Sequence, residues 1–255
     1  MPTNKWAHEE LILAFNLYCK IPFGKINQKN PAVISLSKVL SRTPGAVSWK
    51  LANFARLDPS LQNRNIAGAS HGSKLDIEVW EEFVEDWDRL AFESERLLSE
   101  RTGKQVEEIT EIETIDLPKE GKERETLVKV RVNQSFFRRA VLASYDFKCC
   151  ITGLEIPELL NASHIIPWSK DKANQVNPRN GLCLNAIHDR AFDRGFLTTA
   201  PDFTIKISKS IKTKNVSDAI QDFLLRFDGL EIHQPTRFLP DVKFLKYHNK
   251  NVFRA

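Results

Sequence analysis

A polar interruption splits the chain more decisively than any other feature. Residues 101–125 are charged, poor in aromatics, and carry Pro118 and Gly121. Such a stretch cannot bury enough apolar surface to extend a core, and it reads as a connection between folded parts. A chain of 255 residues is long enough for two modest domains. The expected division is a helical domain over 1–100, a linker over 101–128 and a second domain over 129–255. Hydrophobic residues at 42% leave enough apolar material for two cores.

Charge is distributed as unevenly as polarity. Residues 1–75 hold 10 Lys and Arg against 3 Asp and Glu, and residues 76–100 hold 2 against 10. Residues 126–255 return to 20 against 12. Two basic blocks around an acidic middle suit two contacts with a polyanion such as nucleic acid. The alternative is that one acidic helix skews the count. No apolar run approaches the roughly 18 residues of a membrane helix, and residues 1–6 lack the apolar core of a secretory signal. Four cysteines, two of them adjacent, fit neither a disulfide scaffold nor a zinc knuckle. A reducing, cytoplasmic setting without membrane contact is the expectation.

In the first domain, helix-like spacing of Leu11, Ile12, Phe15 and Tyr18 runs until Pro22. A second helix is expected from Pro31 to Ser41. Thr43-Pro44 then opens a third, running to about Arg56: threonine caps the free amides, and proline at the first position loses no bond. Two short helices and a tight turn suggest a helix-turn-helix-like DNA-binding module, with Arg42, Lys50, Asn53 and Arg56 as its polar contacts. The same residues would equally suit the solvated face of a small bundle. Residues 58–75 read as a loop. Asp76 to Glu100 reads as one long acidic helix, packed on the basic module or on another subunit.

Past Asn133 the pattern changes. Ser135–Tyr145 reads as a helix and Cys149–Gly153 as a turn. A short apolar strand ends near His164, a turn and strand follow from Asn177, and Asn185–Gly195 reads as a helix stopped by glycine. Three ordered blocks stand out: Ser-His-Ile-x-Pro-Trp from Ser163, Asn-Pro-x-Asn-Gly-Leu from Asn177, and His-Asp-x-Ala-Phe-Asp-x-Gly from His188. In this order they resemble the HNH endonuclease family, and more narrowly its branch among bacterial restriction endonuclease-like proteins. The tail from Phe244 to Phe253 is similar to the tail of that branch.

The resemblance implies an α+β chain, its C-terminal half a ββα-metal HNH nuclease domain. It implies a metal-dependent DNA endonuclease of a restriction or defence system. His164 would be the general base, Asn180 would hold the loop that orients it, and His188 would hold metal or the scissile phosphate. One Mg²⁺ or Mn²⁺ per site would be bound by a set drawn from His188, Asp189 and Asp193. Arg179, Arg190 and Arg194 would hold DNA phosphates or form only a solvated rim. One departure matters: family members often carry Asp or His before the base, and here the residue is Ser163. A double-strand break needs two sites or two successive nicks, so a homodimer is expected. Two other readings stay open: a DNA-binding protein with an inactive site, and a nuclease regulated by a partner of the N-terminal half.

Overall fold

The computed structural model describes residues 5–62, 72–110, 118, 120–212 and 216–255. Residues 63–71 of the expected 58–75 loop and residues 111–117 and 119 of the expected linker lie outside these residues. The chain divides into two compact units, Met1–Ala140 and Val141–Ala255. The division falls inside a helix (Lys122–Ser144) that begins within the stretch read as linker and extends well before the expected Ser135 start. Among the described residues no helix is long and apolar enough to cross a membrane.

The first unit is helical: α1 (His8–Lys20), α2 (Pro31–Val39), α3 (Pro44–Leu57), α4 (Pro59–Gln62), α5 (Lys74–Phe83), α6 (Trp87–Thr102) and α7 (Val106–Ile109), then α8 (Lys122–Ser144). The Thr43-Pro44 start holds, since the Thr43 hydroxyl accepts from Ala46 N at 3.2 Å. Phe15 of α1 organises the core. Its ring stacks on Phe54 of α3 at 4.9 Å and meets Trp80 of α5 and Trp87 of α6 at 5.0 and 6.0 Å.

The expected single acidic helix is two helices. Asp86 leaves helical geometry and its carboxylate accepts from Arg89 N, starting α6 afresh. Some of their acidic residues turn to the basic module of the same chain: Glu95 pairs with Lys20, Asp76 with Lys50, and Glu82 meets His8. Glu81 and Glu85 stay exposed.

The second unit holds β1 (Leu160–His164), β2 (Gly181–Asn185), α9 (Ala186–Asp193), β3 (Leu197–Thr199), β4 (Ile205–Ile207), α10 (Asp218–Phe223) and α11 (Val242–Asn251). β1 pairs antiparallel with β2, His164 opposite Gly181 and Leu160 opposite Asn185. β3 and β4 form a second antiparallel pair. α10 ends at Phe223 and a 3-10 turn follows.

The C-terminal segment clamps α9. Gly195 adopts φ +71°, and a Cβ there would collide with the Val252 carbonyl. Only glycine fits that left-handed, crowded position. His248 of α11 lies flat on Phe192 at 3.7 Å, with Nδ1 2.7 Å from Thr198 Oγ1.

Candidate active site

His164 ends β1 where a sixteen-residue excursion, 165–180, leaves the hairpin. Asn180 fastens that excursion. It is fully buried; its Oδ1 accepts from Ile166 N at 2.8 Å, and its Nδ2 donates to Asn174 O at 3.1 Å and Ile166 O at 3.3 Å. The held loop in turn fixes the imidazole. His164 Nε2 lies 2.9 Å from Gln175 O, and the ring meets Trp168 edge-on at 5.3 Å. A carbonyl can only accept, so Nε2 carries the proton and Nδ1 is the basic nitrogen. Burial pulls the imidazole below its ordinary pKa, against the upward pull of the Gln175 carbonyl and the Asp189 carboxylate. It is therefore neutral at neutral pH, the state a general base needs.

α9 supplies the acidic groups. Asp189 and Asp193 are four residues apart, on one side of the helix. Asp189 Oδ2 accepts from Asn161 Nδ2 at 2.8 Å, which ties the helix to β1. Asp193 is exposed, yet partial loss of hydration and then the Asp189 charge push its carboxyl above the usual range; Arg190 and Arg194 pull it down. Both arginines are exposed.

His188 departs from expectation. Its side chain is buried at 1% exposure, with Nε2 2.7 Å from Phe223 O, and Nδ1 3.1 Å from Asn185 Nδ2 and 3.9 Å from Cys149 Sγ. Both ring nitrogens are occupied inside the unit, so neither is offered to a metal or a phosphate. The ring instead joins α9 to the α10 segment and to Cys149. Burial pushes the Cys149 thiol up, but the bonds from His188, Thr152 and Ile151 bring it to about 7. The four cysteines are buried, unbridged thiols.

Lys50 and Asn53 also face inward. They reach Asp76 at 2.8 and 2.9 Å and are at most 6% exposed, so neither can contact DNA from this position. Arg42 is engaged as well: it binds both Glu10 carboxylate oxygens and Lys5 O, with its guanidinium 4.1 Å from the Trp6 ring centre. Arg56 is half-buried, its guanidinium against Gly72. Arg179 leans on Asp241 at 3.5 Å and Leu239 O at 3.4 Å.

Asn161 and Gln175 join the site from outside the three ordered blocks, and Trp168 joins it as the last residue of the first block. Only Asn161 left a trace beyond them, as a polar residue on an otherwise apolar strand. A divalent cation suits the donor chemistry. The Asp189 charge raises the cost of ionising Asp193, and a hard cation relieves it. Ser163 Oγ, on the residue before His164, is buried with no hydrogen-bond partner among the described residues. That leaves one buried oxygen unspent next to the imidazole in sequence. The described residues contain no preassembled cluster of three or more His, Cys, Asp or Glu side chains, so water must complete any coordination sphere.

The candidate site therefore combines an imidazole at the end of a hairpin strand with the carboxylates of the helix that follows the hairpin. Residues 149–198 match the family model described as HNH endonuclease. No curated protein matches the chain.

Proposed function

We propose that the chain is a DNA endonuclease that hydrolyses phosphodiester bonds with His164 as general base and a divalent cation held by Asp189 and Asp193. The observation that carries this reading is the His164 ring, neutral, with Nε2 spent on Gln175 O and with Asp189 acting on it. Nδ1 takes a proton from a water whose oxygen bonds to phosphorus. The P–O3′ bond breaks, and the leaving oxygen gains a proton from solvent. Asn180 positions the base through the loop. Arg190 and Arg194, exposed on either side of Asp193, hold the phosphate. Asp189 and Asp193 would hold Mg²⁺ or Mn²⁺, which would supply charge neutralisation at the phosphate and the leaving oxygen. Ser163 contributes at most its hydroxyl, which makes the site poorer in charge than one with a carboxylate there and favours weak, exchangeable metal binding.

A restriction or defence role, with two copies acting together on both strands, is the biological setting of this reading. The test is incubation of supercoiled plasmid with the full chain and Mg²⁺, Mn²⁺ or EDTA. Metal-dependent conversion to nicked or linear DNA, lost in Asp189→Asn together with Asp193→Asn, is expected. Intact plasmid under every metal overturns the reading.

A further inference from the structure

Between Glu10 and Asp58 the chain holds seven Lys and Arg and no acidic residue. Acidic groups from outside the stretch neutralise only one side of it: Glu95 takes Lys20, Glu10 takes Arg42 and Asp76 takes Lys50. Asp58 adds no surface charge, being 1% exposed and bonded to Tyr18 OH at 3.0 Å. Lys25, Lys29 and Lys38 stay exposed, with no ion-pair partner among the described residues.

α3 explains where that unneutralised charge sits. At 100° per residue, Val47, Lys50, Leu51 and Phe54 point into the core, and Gly45, Ser48, Trp49, Ala52 and Arg56 form the outer strip. Trp49 is 59% exposed, the most exposed large apolar side chain on the described surface. Its neighbours on the strip are mostly short. The 25–29 loop lies beside this strip, because Gln28 Oε1 would sit 3.4 Å from a Cβ on Gly45. Lys38 is exposed near the end of α2, the helix that precedes and packs against α3. An exposed tryptophan on a helix with low shoulders, in a stretch without acidic residues whose exposed lysines have no ion-pair partner among the described residues, has no use in the unit's own packing.

We infer that this outer face of α3, centred on Trp49 with Lys25, Lys29 and Lys38 around it, docks on duplex DNA. The inference rests on the nuclease reading for its choice of polyanion. The short side chains let the helix enter a groove about 12 Å wide, the lysines take phosphates on the flanks, and the indole makes an apolar contact with a base edge. It replaces the inward-facing Lys50 and Asn53 as the reading surface and keeps the expected helix.

The experiment uses the full chain in EDTA, with binding to a short labelled duplex followed by anisotropy across a salt series. Combined Lys25→Ala, Lys29→Ala and Lys38→Ala should lower the slope of log K against log salt by about 1 for each phosphate no longer bound. Trp49→Ala should weaken binding about tenfold and leave that slope unchanged. Arg96→Ala, exposed on α6 and paired with Glu100 of the same helix, serves as the unaffected control. All these side chains are exposed, so unchanged melting certifies the fold. Wild-type affinity and slope in the triple and Trp49 variants overturn the inference, and so does tighter binding to single strands lost with Trp49. Wild-type plasmid cleavage separates the two claims: binding lost in the variants while the native chain never cuts would fell the nuclease reading alone.

Discussion

Replacing Asn180 with alanine removes the side chain that holds the loop beside His164, the proposed base. The side chain makes three hydrogen bonds at a site with no exposure. Each is worth about 1 kcal/mol net, and the stranded Ile166 N–H adds to the loss, for a total of about 3–4 kcal/mol. A unit of this size has about 5–15 kcal/mol, so the variant still folds at moderate temperature but melts several degrees lower. The catalytic loss is larger in proportion. A general base contributes about 10²–10⁴-fold, and a released loop forfeits most of it. Destabilisation alone cannot mimic the second signature. His164 is held below its ordinary pKa chiefly by burial, so a loosened loop rehydrates it and raises that value. The acid limb of the pH–rate profile should move upward in Asn180→Ala, and Asn180→Asp, which keeps the acceptor for Ile166 N, should recover part of the rate. Native rate and an unmoved acid limb in a folded Asn180→Ala protein would refute the reasoning.

Three further outcomes follow from the packing. Burial, only partly opposed by the Phe192 carbonyl, pulls His248 from 6.5 to about 4; its neutral ring stabilises fully above the unfolded value, and this contribution is lost as pH falls toward 4. The gap in urea stability between the native chain and His248→Gln should shrink by about 3 kcal/mol from pH 7 to pH 4, and a constant gap contradicts it. Asp76→Ala leaves the Lys50 ammonium buried without its partner and should cost about 3–5 kcal/mol in chemical denaturation, much of it regained by adding Lys50→Met. Gly195→Ala must clash with the Val252 carbonyl and should cost more than Gly153→Ala, where φ is equally positive but nothing lies within 4 Å; about 1 kcal/mol is expected for the latter, and equal melting temperatures would count against the packing described.

What could be read along the chain was whatever neighbouring residues decide. Thr43-Pro44 announces its helix because a hydroxyl and a missing N–H act within one turn. His164 and Asn180 were legible as members of ordered blocks, and the loop between them closes on itself. The failures share a cause, a partner far off in sequence. Lys50 and Asn53 look like outward polar residues until Asp76, 26 residues beyond Lys50, arrives to bind both. His188 sits beside two aspartates in sequence, but its nitrogens are taken by Phe223 O, 35 residues later, and by groups that include Cys149, 39 residues earlier. The acidic stretch breaks at Asp86 because a carboxylate that can cap the next turn outcompetes continuation of the helix. Helical periodicity alone carries no trace of that competition.

The central claim is that His164, and not His188, removes the proton from the attacking water. Plasmid cleavage with Mg²⁺ or Mn²⁺ by His164→Ala and by His188→Gln, each at a temperature where melting shows it folded, tests this directly. The account predicts that His164→Ala binds DNA like the native chain and cuts at least about 10²-fold more slowly. His188→Gln should melt earlier but retain metal-dependent cutting while folded. Undiminished cutting by His164→Ala, or cutting abolished in a fully folded His188→Gln protein, would contradict it.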